Sequence, residues 1–226
     1  MALDVRLISD AIKIAEELAG EVGGFKIGLE LLTSEGAPRV VSALSQLGVR
    51  IFYDGKFNDI PNTVGAATKA VADLGVWMLD VHASSGIDAL RACVHNKASA
   101  LAVAVTVLTS LGDDRVADIF GAPPSVKVLR FARLAVEAGM DGVVCSPHEL
   151  LALKEHREVR DLLTVVPGVR PSWAAAGDQA RVMTPSDAVR QGADYIVVGR
   201  PILAPPPTIG NRKEAASRIR EDLAEQ

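Results

Sequence analysis

Asp54, Lys56 and Asp59 stand within one ten-residue stretch, Asp54-Gly55-Lys56-Phe57-Asn58-Asp59-Ile60-Pro61-Asn62-Thr63, directly after the apolar run Val49-Arg50-Ile51-Phe52-Tyr53. An amine held between carboxylates stays protonated, because neighbouring negative charge favours the charged form of lysine. Such a lysine can donate a proton or stabilise negative charge that develops on a substrate. Strand side chains alternate between faces, so Asp54 and Lys56 enter one pocket if the strand runs through them. Past Asp59, Ile60-Pro61 biases the backbone away from helix and Asn62-Thr63 can cap the helix that follows. The plain alternative is a solvated ion-pair network at a strand end, worth little energetically. The D-x-K-x-x-D spacing alone does not separate the two.

The elements that must position these groups follow a rhythm of short apolar runs and amphipathic stretches. Strands are expected near residues 1–5, 24–28, 49–54, 76–82, 101–106, 141–145, 162–166 and 194–198. Between them lies helical spacing, as in Ile8, Ala11, Ile12, Ala15 and Leu18, or Val128, Phe131, Ala132 and Ala135. Helices are expected to stop at glycines shortly before the next strand, such as Gly75 and Gly139. Eight β-α units with no linker or composition shift predict an α/β protein, a (β/α)8 TIM barrel, as one domain over residues 1–226. An open doubly wound sheet is the structural alternative, disfavoured because no G-x-G-x-x-G follows the first strand.

A barrel collects its chemistry at the C-terminal ends of its strands, and polar residues gather there. The first strand ends at Asp4, the second carries Lys26, the third runs into Asp54 and Lys56, the fourth into His82, and the fifth into Thr106-Val107-Leu108-Thr109-Ser110. Each has a plainer role open to it: a lone Asp or Thr can cap a helix, Lys26 can snorkel outward, and His82 can brace the barrel mouth. After the seventh and eighth strands come Pro167-Gly168-Val169-Arg170-Pro171, Gly177-Asp178-Gln179 and Val198-Gly199-Arg200-Pro201. Loops there supply backbone N–H groups, glycine allows an anion to approach, and arginine gives a bidentate, charge-assisted bond. Gly199 and Arg200 are therefore expected to hold a phosphate.

Lys plus Arg number 24 against 28 Asp plus Glu, a net charge of −4 with 4% aromatic residues and no basic stripe, which gives nucleic-acid binding little support. Cys93 and Cys145 lie far apart in apolar surroundings without metal-ligand spacing, and read as buried thiols. No basic-then-apolar leader or membrane-length apolar run is seen, so a cytoplasmic protein is expected.

Taken whole, the Asp54–Thr63 block resembles the D-x-K-x-x-D-I-P-N-T signature of the orotidine 5'-monophosphate decarboxylase family. The segments P-G-V-R-P, G-D-Q and V-G-R-P-I between Val166 and Ile202 resemble that family's phosphate-side pattern, and Lys26-Ile27-Gly28-Leu29-Glu30 and Leu108-Thr109-Ser110 extend the match over nearly the whole chain. Gly55 stands where the family usually has a bulky residue, and Asn58 where bacterial members often have histidine.

The resemblance implies conversion of orotidine 5'-monophosphate to uridine 5'-monophosphate (UMP) and carbon dioxide, in de novo pyrimidine synthesis, with no metal or organic cofactor. It implies that Lys56 protonates C6 of the pyrimidine, that Asp54 sits beside the scissile carboxylate, and that Lys26 and Asp4 bond the ribose hydroxyls. Thr109 would bond the base and Gln179 would bridge base and phosphate, with Pro167, Arg170, Gly199 and Arg200 on the phosphate side. Ser172–Ala176 would belong to a phosphate-gripping loop. Asp59, Ile60 and Thr63 would reach the neighbouring subunit's site, which makes the partner a second copy of the chain in a homodimer. Rival expectations are a magnesium-dependent sugar-phosphate enzyme of the same superfamily, a Schiff-base aldolase using Lys56, and a catalytically silent nucleotide sensor.

Overall fold

Residues 1–174 and 183–224 are described by the structure, a computed structural model. Among the described residues the short apolar runs form seven strands: β1 (Phe25–Ile27), β2 (Ile51–Phe57), β3 (Met78–His82), β4 (Leu101–Val105), β5 (Gly142–Val144), β6 (Leu163–Pro167) and β7 (Tyr195–Val197). They pair in chain order, every neighbour parallel. Parallel neighbours need a crossover between them, and helices supply it. The result is the helix-wrapped barrel that the spacing predicts.

The first expected strand is present only in part. Ala2 N–H donates to Val198 O at 2.9 Å, Leu3 N–H to Lys26 O at 2.9 Å, and Lys26 N–H to Met1 O at 2.8 Å. The segment thus lies between β7 and β1 and bridges the gap in the ring, but it pairs through a single bridge, Ala2 with Lys26. The chain leaves the ladder at Asp4 on its way to the helix Ile8–Leu18.

Two apolar clusters follow from the period of two. Side chains facing outward, among them Ile27, Ile51, Leu79, Val81, Ala102, Ala104 and Val143, join the helices in the large core. The helix Ile8–Leu18 contributes Ala11, Ile14, Ala15 and Leu18, and the helix Pro124–Ala138 contributes Val128, Phe131, Ala132 and Ala135. The latter stops at Gly139, whose φ of 79° is left-handed and whose N–H caps Ala135 O and Val136 O. Inward-facing Phe52, Met78, Val103 and Val165 form a separate small cluster with Trp77 and Tyr195 packed against it. No helix among the described residues is long and apolar enough to cross a membrane.

Candidate active site

Beyond Tyr53, β2 departs from a regular ladder. Tyr53 pairs with Leu79, yet Phe57 pairs with Val81, so four residues advance on β2 against two on β3. A bulge of this kind leaves backbone groups without ladder partners and re-aims side chains. Lys56 sits within it at φ 49°, a left-handed conformation uncommon outside glycine. Its N–H is satisfied by a side chain: Asp80 Oδ1 accepts it at 2.8 Å. A Cβ at Gly55 would lie 2.3 Å from a Tyr53 ring carbon, so any larger residue there would have to displace that ring. The Tyr53 ring packs on Phe57 with centroids 5.8 Å apart.

The charged side chains form one alternating series. Lys26 Nζ lies 3.5 Å from Asp4 Oδ1 and 2.8 Å from Asp54 Oδ2. Lys56 Nζ donates to Asp54 Oδ1 and lies 3.4 Å from Asp80 Oδ2. Asp54 is 8% exposed and Asp80 is fully buried. Burial opposes the ionisation of Asp54, but the hydrogen-bonded Asp80 carboxyl and the charges of Lys26 and Lys56 hold it well below the usual carboxylate range. Burial first, and the Asp54 charge second, push Asp80 well above that range. Of the two acids Asp80 is the harder to ionise, since it faces one ammonium where Asp54 faces two. Burial also works against the charge of Lys56, and the carboxylates of Asp80 and Asp54 outweigh it, so its pKa is raised above the ordinary lysine value. The site thus presents a fixed ammonium at the wall of a cavity.

That cavity, about 250 Å³, opens at the C-terminal ends of the strands. Asp4, Lys26, Asp54 and Lys56 line one side, and Thr109 follows from the segment after β4. Pro167 at the end of β6, Arg170 after it, and Gly199 and Arg200 after β7 complete the lining. Arg170 is 9% exposed, and its N–H donates to Met183 O at 2.9 Å. A Cβ at Gly199 would lie 3.1 Å from Asp4 Oδ2, so the glycine lets the segment after β7 approach the Asp4 carboxylate closely. A cavity with ammonium groups at one side and arginines at another can hold a ligand that carries two separate anionic groups.

Residues 1–218 match the family described as orotidine 5'-phosphate decarboxylase / HUMPS. The chain belongs to that family. It is 49% identical over 219 residues to the orotidine 5'-phosphate decarboxylase of Anaeromyxobacter sp. (strain K), covering 95% of each chain. It is 44% identical over 241 residues to the enzyme of that name from Heliobacterium modesticaldum, covering 100% of this chain and 95% of the other. Among solved structures it resembles the orotidine 5'-phosphate decarboxylase of Lactobacillus acidophilus, with a TM-score of 0.81 and 34% identity over 98% of this chain and 96% of that one.

Family membership frames the residues that fall elsewhere. Asp59, Ile60 and Thr63 do not line the cavity of their own chain. Asp59 Oδ1 accepts the Ile60 N–H at 2.7 Å, and Ile60, which precedes the helix Pro61–Ala72, is 66% exposed. Within the chain, the second carboxylate beside Lys56 is therefore Asp80, not Asp59, because the bulge turns Lys56 toward β3 while the chain at Asp59 has already left the barrel wall. Gln179 lies outside the described residues, as do Ala175 and Ala176 of the expected loop. His82 is half-buried, its pKa lowered by burial and by the Lys56 charge, and it does not line the cavity. Cys93 and Cys145 are free, buried thiols, and burial pushes Cys93 up to about 11.

Asp80 escaped the reading of the sequence. The signal was there: an aspartate in the middle of Met78-Leu79-Asp80-Val81-His82, in a strand of a parallel sheet buried on both faces, is anomalous unless it is paired.

Proposed function

We propose that this chain decarboxylates orotidine 5'-monophosphate to UMP and carbon dioxide, as one catalytic domain over residues 1–226, with Lys56 as the proton donor. The observation that carries the proposal is the Lys56 ammonium, held between Asp54 and Asp80 at the wall of a cavity whose lining also includes Arg170 and Arg200. The C6–carboxylate bond breaks, carbon dioxide departs, and the electron pair stays on C6. Lys56 stabilises that pair and transfers a proton to C6, which gives UMP, and it then regains a proton from solvent. An ammonium fixed beforehand favours the transition state over the ground state, because negative charge reaches C6 only as the bond breaks. Retention of the proton on Lys56 fits this role and opposes a Schiff-base mechanism, which needs a neutral amine.

Asp54 faces the departing carboxylate, and Lys26 and Asp4 hold the ribose hydroxyls. Thr109 bonds the pyrimidine, Gln179 bridges base and phosphate, and Pro167, Arg170, Gly199 and Arg200 hold the phosphate. Asp59, Ile60 and Thr63 serve the neighbouring site of a homodimer, and the exposed Ile60 beside Asp59 suits a residue that packs against a second copy. The enzyme acts in the cytoplasm and its chemistry requires no metal or organic cofactor.

The test is the absorbance change of orotidine 5'-monophosphate on adding purified protein, with and without EDTA. Rapid turnover that the chelator leaves unchanged supports the proposal. Turnover that stops with EDTA would point to the magnesium-dependent sugar-phosphate class, and UMP binding without carbon dioxide release would point to a nucleotide sensor.

A further inference from the structure

Asp80 is fully buried at the middle of β3, the strand whose five residues all pair in register with β4. It is thus attached to one of the most regular parts of the wall, beside one of the least regular. A carboxylate buried this way costs stability, and an apolar residue of similar volume is often neutral or better. Its two oxygens reach two different parts of one residue: Oδ1 accepts the Lys56 backbone N–H at 2.8 Å, and Oδ2 lies 3.4 Å from the Lys56 ammonium. Lys56 needs such a hold, because it follows Gly55, the residue with the freest backbone, and occupies a left-handed conformation itself.

We propose that Asp80 is a positioning residue for Lys56, fixing the backbone of the β2 bulge with one oxygen and aiming the ammonium into the cavity with the other. This rests on the decarboxylase function proposed above for Lys56. Asp80 does not line the cavity, so it acts through Lys56 and not on substrate.

The experiment compares wild type, Asp80→Leu and Asp80→Asn for turnover of orotidine 5'-monophosphate, UMP affinity, melting temperature and the titration of Lys56 Nζ by NMR of 15N-lysine-labelled protein. Leucine fills the space and removes both acceptors, whereas asparagine keeps an acceptor for the Lys56 N–H. Asp80→Leu is expected to lower kcat by about 100-fold, the scale of a misplacement near 1 Å, with UMP affinity within about threefold of wild type. It should melt no lower than wild type, and its Lys56 should titrate at lower pH. Asp80→Asn should recover most of kcat. An Asp80→Leu protein with wild-type kcat and wild-type Lys56 titration would overturn the proposal. So would a parallel loss of kcat, UMP affinity and melting temperature, which marks a merely structural residue. If wild type itself fails to decarboxylate, the proposed activity falls, while the Lys56 titration still decides whether Asp80 holds Lys56.

Discussion

The interior of the barrel has two layers built on the same strands. On β2, Phe52 and Asp54 are two residues apart, and on β3 so are Met78 and Asp80. The lower pair joins Val103 and Val165 in an apolar cluster, while the upper pair joins Lys26 and Lys56 in a charged one. The step between the layers is two residues along a strand, about 7 Å. Hydrocarbon below sets the strand positions by close packing, which tolerates little displacement. Charges above can be buried only because each finds an opposite partner. The lower layer supplies rigidity and the upper layer uses it to hold groups whose mutual repulsions and attractions would otherwise rearrange the site.

Moving a charge into the lower layer should break this division most severely. Met78→Asp places there the side chain found two residues further along, but without Lys56 to pair with it. A loss of about 3–5 kcal/mol is expected in denaturant unfolding, the cost of an uncompensated buried charge. A variant as stable as wild type would mean that the lower layer admits water.

Arg200→Ala tests the far side of the upper layer, where the side chain is exposed. Loss of a charged partner for the phosphate should lower kcat/KM by about 100-fold or more while the melting temperature stays at the wild-type value. Unchanged kcat/KM would remove Arg200 from the phosphate site.

The smallest effect separates the two acids of the upper layer. The folded-state pKa of Asp80 is raised, so its contribution to stability is complete below the unfolded carboxylate value of about 3.9 and is lost as pH rises through the folded value. Asp54 behaves oppositely, its contribution being present above the unfolded value and lost only as pH falls through its depressed folded value. Asp80→Asn removes the first contribution and leaves the second. The melting temperature of Asp80→Asn relative to wild type should therefore rise as pH is raised from 4 to 8. A constant difference would show that Asp80 titrates normally.

Much of this was legible in the residues. Short apolar runs located the seven strands found among the described residues, and helical spacing located the helices Ile8–Leu18 and Pro124–Ala138, because burial is what those patterns record. The first strand was overestimated: its apolar start and Asp4 suggested a full strand, but closing a ring between β7 and β1 needs only the pairing of Met1 to Leu3. Asp4, Lys26, Asp54, Lys56, Thr109, Pro167, Arg170, Gly199 and Arg200 meet at one cavity, as positions at strand ends predict. What alternation could not supply was the bulge. A regular strand would carry Asp54 and Lys56 on one face without needing β3, whereas the observed bulge turns Lys56 to Asp80, a contact across 24 residues of chain. Gly55 became intelligible only with the Tyr53 ring in place.

The central claim is that a proton held on Lys56 goes to C6. Single-turnover decarboxylation of orotidine 5'-monophosphate by wild type and Lys56→Ala, each shown to bind UMP, tests it most directly. The account predicts a fall of about 10⁴-fold or more in the rate for Lys56→Ala, the combined scale of a lost proton donor and a lost charge. A Lys56→Ala protein that decarboxylates within tenfold of the wild-type rate would contradict it.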